Sequence, residues 1–412
     1  MGGANVMVAG IALITGALLA PIMVNPDLLR LGLFVPVGLA ALAVLIGAPR
    51  GLRLRLGMII VALALGVWAA NPLIAGFGLL FAVMLGAFCP QALPLALSAV
   101  PVIALMWVWQ AVTPGQGWHP VQIAEICLAL GAILAPIGAL LAVCASDFTG
   151  LALGFVLGLS GIALGGAGLG SAPVMLMAAA ASSLAGAGLA LIGQRLDAAA
   201  GQVALDWLGG LARGMPDLSF VLLALLLGVS ALPPGPAFDV LVLIVRALGT
   251  APSPRAGWFG LGAAFWAGLS MLAALRGFAL VALGRPRSLR AAAAEDVRDG
   301  RFVAMAGLAV AMLLLGLLAA PDRLVVIGVT CSVAVMVAML VGILAPRRVV
   351  PVEHWTEGFA KPPLWLPFDD PTTQMTATGF AAITLGAGAA LPAWLRAQSA
   401  GARHWLAMVL AP

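Results

Sequence analysis

The chain has 412 residues, of which 63% are hydrophobic and only 8% charged. Its mean hydropathy is +1.15, and 20 basic against 15 acidic residues leave a net charge of +5. No soluble globular class has this composition, and apolar runs that are continuous rather than alternating argue against a β-barrel.

Apolar stretches of bilayer-spanning length recur along nearly the whole chain. The expected fold class is an all-α polytopic membrane protein, a bundle of about 12–14 transmembrane helices with broken helices among them. In chain order the predicted spans are about 5–23, 31–48, 57–70, 73–88, 93–112, 121–145, 149–169, 172–193, 217–232, 236–249, 257–283, 302–319, 323–345 and 377–395. No charged n-region precedes residues 11–23, so that stretch reads as a first span rather than a cleaved signal.

Arginine carries almost all the positive charge, because Lys361 is the single lysine. Arg50, Arg53 and Arg55 fill one short loop. Arg285, Arg287, Arg290, Arg298 and Arg301 fill a second, and Arg347 and Arg348 mark a third. The positive-inside rule puts all three loops in the cytoplasm, which suits this basic balance better than nucleic-acid binding does. Two predicted spans separate the second loop from the third, as that requires. Nine separate the first from the second, so one element between them is miscounted. The candidates are 57–88 and 217–249, each readable as a broken helix or a re-entrant pair.

The segment 194–216 carries Arg195, Asp197, Asp206 and Arg213 and reads as an interfacial helix or loop. The stretch 351–371 is rich in proline, tryptophan and acids and cannot span a bilayer. Trp355 and Trp365 suit the membrane interface or a partner surface. Three regions follow: an N-terminal transmembrane segment (1–90), a transmembrane core (91–345), and a C-terminal interfacial tail with a possible last helix (346–412).

Residues 209–246 hold the most pointed local signal. Two apolar segments meet at Leu232-Pro233-Pro234-Gly235-Pro236. Pro233, Pro234 and Pro236 remove backbone donors, so this is a helix break inside an apolar region. Asp239 follows at once. It reads either as a proton-accepting carboxylate on an internal water path or as a helix N-terminal acid that satisfies free amides and the helix dipole.

Ionisable groups within spans are functional candidates by default. The others are Arg276, read as a charge gate or as an arginine reaching toward the loop at Arg285, and Glu125 near the start of its span. Asp147 lies at a span end, and Arg246 reaches the following loop. His119, His354 and His404 lie in loops or near a terminus. The four cysteines form no CxxC pair, and neither an HExxH motif nor a Ser/His/Asp arrangement is present, so no metal or cofactor is expected. Gly161, Gly165, Gly166, Gly168 and Gly170 lack the strand–loop–helix setting of a nucleotide loop and read as close helix packing.

Several stretches, in order, resemble the antiporter-like proton-conducting membrane subunits shared by respiratory complex I, cation/proton antiporters and energy-converting hydrogenases. The similarity is strongest to the hydrogenase-4 branch, found also in formate hydrogenlyase. In residues 128–161 (LALGAILAPIGALLAVCASDFTGLALGFVLGLSG) an apolar helix ends in an acid, Asp147, and a second helix follows at once. Residues 209–216 (GGLARGMP) match the family's connection into the next helix. Residues 230–238 (SALPPGPAF) are similar to its Leu-Ser-x-x-Gly-Leu-Pro-Pro-x-x-Gly-Phe signature. Residues 284–297 (GRPRSLRAAAAEDV) resemble a loop of the hydrogenase-4 branch, and 355–381, ending in QMTATGFA, its tail. The resemblance covers about 90–381.

It implies an antiporter-like fold, other membrane subunits and hydrophilic redox subunits as partners, lipid around it, no cofactor in this chain, and residence in a bacterial inner membrane. It also implies a hydrated mid-membrane path of lysines and histidines, and here the sequence departs. The expected lysine of 93–112 falls near Ile103. The expected His-x-x-Asn-His-x-x-x-Lys cluster falls on 182–190 (SSLAGAGLA). An expected acid falls on Gly158, and the ionisable group after the break falls near Leu241. One expected lysine is Arg276, which keeps the charge but cannot shuttle protons. Segment 1–90 is also too short for the family's full N-terminal repeat.

The reading is therefore a mainly structural subunit of a complex I-like or hydrogenase-like redox complex, with weakened or lost proton translocation. An active proton-translocating subunit using Asp239, Arg276 and Glu125 is one alternative. A free-standing secondary transporter is another.

Overall fold

A computed structural model describes residues 120–201, 203–250 and 254–318, and all regular structure there is helical apart from one isolated backbone bridge. The predicted spans before 113 and after 320, the first and third arginine loops, Ile103, the C-terminal tail and the outer region boundaries lie outside these residues.

Seven principal helices follow in order: α1 (Pro120–Cys144), α2 (Phe148–Gly168), α3 (Ala172–Ala200), α4 (Pro216–Val229), α5 (Pro236–Leu248), α6 (Pro254–Ala282) and α7 (Gly300–Leu318). Helical turns at Leu211–Gly214 and Leu289–Ala292 and a 3₁₀ turn at Leu205–Trp207 join them. Five helices, α1, α2, α3, α6 and α7, are long and apolar enough to cross a membrane. The chain is an all-α, multi-pass membrane protein. The segment 194–216 is less irregular than its composition suggests. Its first seven residues finish α3, which ends at Gly201 in the left-handed region (φ 72°), where glycine carries no steric penalty.

Small residues set the packing. On α1 the buried line Gly131, Ala135, Gly138, Ala142 faces Gly154, Gly158, Gly161 and Gly165 of α2. A β-carbon on Gly138 would lie 2.2 Å from the Gly158 nitrogen, and one on Gly161 2.6 Å from the Ala135 nitrogen. The two backbones are in contact. In lipid, where apolar side chains gain nothing by leaving their surroundings, such close approach is what holds helices together. α6 lies over this pair, with Phe259 filling the space above Gly165 and Trp266 that above Gly158. α3 runs through the interior, its best membrane-spanning window wholly buried.

The ends of the helices sort onto two sides. On one stand the α1–α2 turn, the end of α3, the start of α4, the end of α6 and the start of α7. There the Phe148 amide donates to the Val203 carbonyl (2.9 Å), Leu205 to Ser146 (3.0 Å), and the Asp217 amide to Asp296 just before α7 (2.7 Å). On the other, Glu125 of α1 pairs with Arg255 at the start of α6. α4 begins on the first side and α6 on the second, so 216–248 makes a single crossing, in two halves. Of the readings the sequence left open for 217–249, the structure selects the broken helix. The proline cluster interrupts one crossing instead of joining two. Counting it once reduces the spans expected between the first two arginine loops from nine to eight, the parity the positive-inside rule requires.

Candidate functional site

The break between α4 and α5 follows from missing donors. Pro233, Pro234 and Pro236 have no N–H, and the bond between Pro233 and Pro234 is cis. The chain turns through Leu232 N to Ser230 O (2.7 Å) and Gly235 N to Leu232 O (2.9 Å), and the Ser230 hydroxyl donates to the Leu227 carbonyl (3.1 Å). The backbone is pressed between its neighbours. A β-carbon on Gly235 would meet the Leu227 oxygen at 2.3 Å, and one on Gly316 of α7 the Pro234 oxygen at 2.2 Å. Gly316 is sixteen residues into α7, which puts the break about 24 Å from the arginine-rich side at 1.5 Å per residue.

Asp239 lies in the first turn of α5 and is 0% exposed. A carboxylate there meets the positive end of the helix dipole. Arg246, in the last turn, is exposed, where a cation suits the dipole's negative end.

The other predicted site residues stand apart from this carboxylate. Arg276, partly buried in α6, donates from Nη2 to the Ala145 carbonyl at the α1–α2 turn (3.1 Å) and is attracted by Asp206. It is six residues from the end of α6, about 9 Å, and so on the order of 15 Å in depth from Asp239. Asp147 caps α2, accepting from the Gly150 amide. Glu125 forms its ion pair with Arg255 on the far side of the bundle.

Sequence reasoning missed the groups that hold the arginine-rich side together. Arg287 is 8% exposed. Burial pushes its guanidinium below the usual arginine range, while Asp206 opposes that shift. Asp296 accepts from the Asp217 amide (2.7 Å) and the Leu218 amide (3.4 Å), capping α4 from a distant loop. Arg298 pairs with Asp217 (2.6 Å), and Asp299 with Arg195 (3.9 Å). The sequence signal for these pairs was the charge in 194–216 and 284–301.

A packed ring occupies Gly158, where the family resemblance implies an acid, and the stretch of the implied His/Asn/His/Lys cluster is filled by apolar packing. The Trp266 indole lies 3.0 Å from where a Gly158 β-carbon would be, and Leu225 lies 2.7 Å from that of Gly188. All of 182–190 is buried. Its polar groups are Ser182, which donates to the Val156 carbonyl (3.3 Å) and lies 3.3 Å from the Ser160 hydroxyl, and Ser183, whose hydroxyl has no hydrogen-bond partner among the described residues. Among those residues no group of three or more histidines, cysteines or carboxylates is placed to hold a metal.

No protein-family model matches the chain. No curated protein matches it either. Among solved structures, a chain of respiratory complex I from Thermus thermophilus with bound NADH is similar, with 21% identity over 76% of this chain and 84% of that chain and a TM-score of 0.45.

Proposed function

We propose that this chain is a membrane subunit of a complex I-like or energy-converting hydrogenase-like redox complex, on the hydrogenase-4 side of that group. In this reading its role is mainly structural and its own proton translocation is weakened or lost. The assembly supplies other membrane subunits and hydrophilic redox subunits as partners, in a bacterial inner membrane. The ordered sequence resemblance supports the family. The observation that carries the structural role is the filling of the interior, with Trp266 over Gly158 and all of 182–190 buried. Proton hopping needs titratable or hydrated groups a few ångströms apart, and apolar packing removes both.

A second reading, active translocation, is favoured by one observation: Asp239 is fully buried beside a mid-depth helix break. Tagged chain purified from native membranes should bring redox subunits with it, and a solitary monomer or homodimer would overturn both readings in favour of a free-standing transporter. Asp239→Asn in the assembled complex separates the two. Unchanged redox-driven proton uptake in vesicles is expected for a structural subunit. Loss of uptake with the redox reaction intact would establish the carboxylate as part of a working path.

A further inference from the structure

α1 and α6 lie side by side, and two polar contacts tie them, one at each end. Glu125 pairs with Arg255 at the start of α6, and Arg276 donates to the Ala145 carbonyl just past α1 (3.1 Å). Between these contacts neither helix carries a charge. Arg255 and Arg276 are twenty-one residues apart, about 31 Å at 1.5 Å per residue, close to the ~30 Å of a bilayer's hydrocarbon core. Trp258, 69% exposed, lies one turn inside the first boundary. Leu205, on the 3₁₀ turn that bears Trp207, bonds Ser146, so that half-exposed indole stands at the level of the second.

Within that band α1 is sorted by size. Its small residues Gly131, Ala135, Gly138 and Ala142 face α2, while Ile126, Leu130, Ile133, Ile137 and Leu140 are exposed at alternating spacings of four and three. Helices associate in lipid through small residues that let backbones approach, and bulky rows suit acyl chains. α6 also exposes small residues, Gly257, Ala264 and Gly268, but they form no second row for backbone contact. Gly268 lies midway between Leu261 and Leu275, seven residues either way and so on one line of the helix. Both leucines are 55% exposed, and they hold another backbone off the glycine, which has nothing within 4 Å of its β-carbon position.

We infer that the α1–α6 face is a lipid boundary of the chain in its working assembly, covered by acyl chains, with no helix of another subunit or of a second copy docked on it. A bilayer matches this face in height, in its charge-free interior and in the indoles at its edges. The inference rests on the membrane fold and stands without the redox assembly proposed above. Within such an assembly, it confines partner subunits to other faces.

The test places photoreactive benzoylphenylalanine at position 133, 265 or 275 of the full chain and irradiates native membranes. Mass spectrometry of the chain's peptides should find lipid adducts at all three positions, and no larger protein band should appear. A cross-link from any of the three to another subunit, to a second copy or to a distant stretch of this chain would overturn the inference. Gly268→Leu supplies an independent reading. Beside lipid the added side chain meets nothing, so the melting temperature of the chain in those membranes should not fall. A fall, or the loss of a protein that copurifies with the unaltered chain, would mean that a helix occupies this face and has been overpacked.

Discussion

The α1–α2 pair and the α4–α5 crossing sit in one bundle and are held differently. The first is joined backbone to backbone through glycine and alanine, with α6 rings closing the remaining space. The second is interrupted halfway and is held at its start and at the break. Asp296 and Arg298 grip the start of α4, and Gly316 admits the Pro234 carbonyl at the break. Close packing leaves no room for adjustment, because protein interiors transmit strain instead of absorbing it. The start of α4 is held by polar contacts that can be removed one at a time, whereas its break is packed as tightly as the first pair.

Substitutions should expose that asymmetry. The largest effect is expected for Gly138→Ala, whose methyl group would meet the Gly158 backbone nitrogen at 2.2 Å. Neither backbone can yield without parting the helices, so a loss of about 3 kcal/mol is expected, read as a lower melting temperature of the detergent-purified chain. A normal melting temperature would mean that the two helices are not in backbone contact. Asp296→Ala removes the cap on α4 and should cost about 1 kcal/mol. Hydrogen exchange should quicken at the amides of residues 217 and 218 and stay unchanged in α1 and α2. Smallest is Arg298→Ala. Its pair with Asp217 is largely exposed, so the change should stay within about 0.5 kcal/mol. A drop as large as that of Asp296→Ala would mean that the two act as one network.

Much of the helical core was legible from composition and spacing. The spans expected at 121–145, 149–169, 172–193, 257–283 and 302–319 correspond to helices, since runs of that length and apolarity have few other solutions in lipid. Glycines 161, 165, 166 and 168 also read correctly as packing, but Gly170 does not: it sits in the left-handed region (φ 67°) with nothing within 4 Å of its β-carbon position. The proline cluster signalled a break, but not whether the chain turned back there or carried on. That choice depends on which side α6 begins, and so on Glu125 meeting Arg255 from 130 residues away. The Asp296 cap crosses 79 residues. Pairings at such separations leave no local periodicity to read. The same limit hid the indole over Gly158, because one glycine in a glycine-rich helix says nothing about which ring will cover it.

The small backbone bridge between Asp147 and Ala204 also bears on the order of synthesis. It fastens the turn of the first hairpin to the exit of α3, so three consecutive helices can close on themselves before any later helix is made. The helix that covers Gly158 and Gly165 begins only at Pro254. Until it is made, the nascent unit presents a narrow open seam beside those two glycines. A fragment ending before residue 254 should show that seam as a surface reactive to apolar probes. Trp266 and Phe259 are then the final pieces fitted, and the glycine row is the mould that receives them.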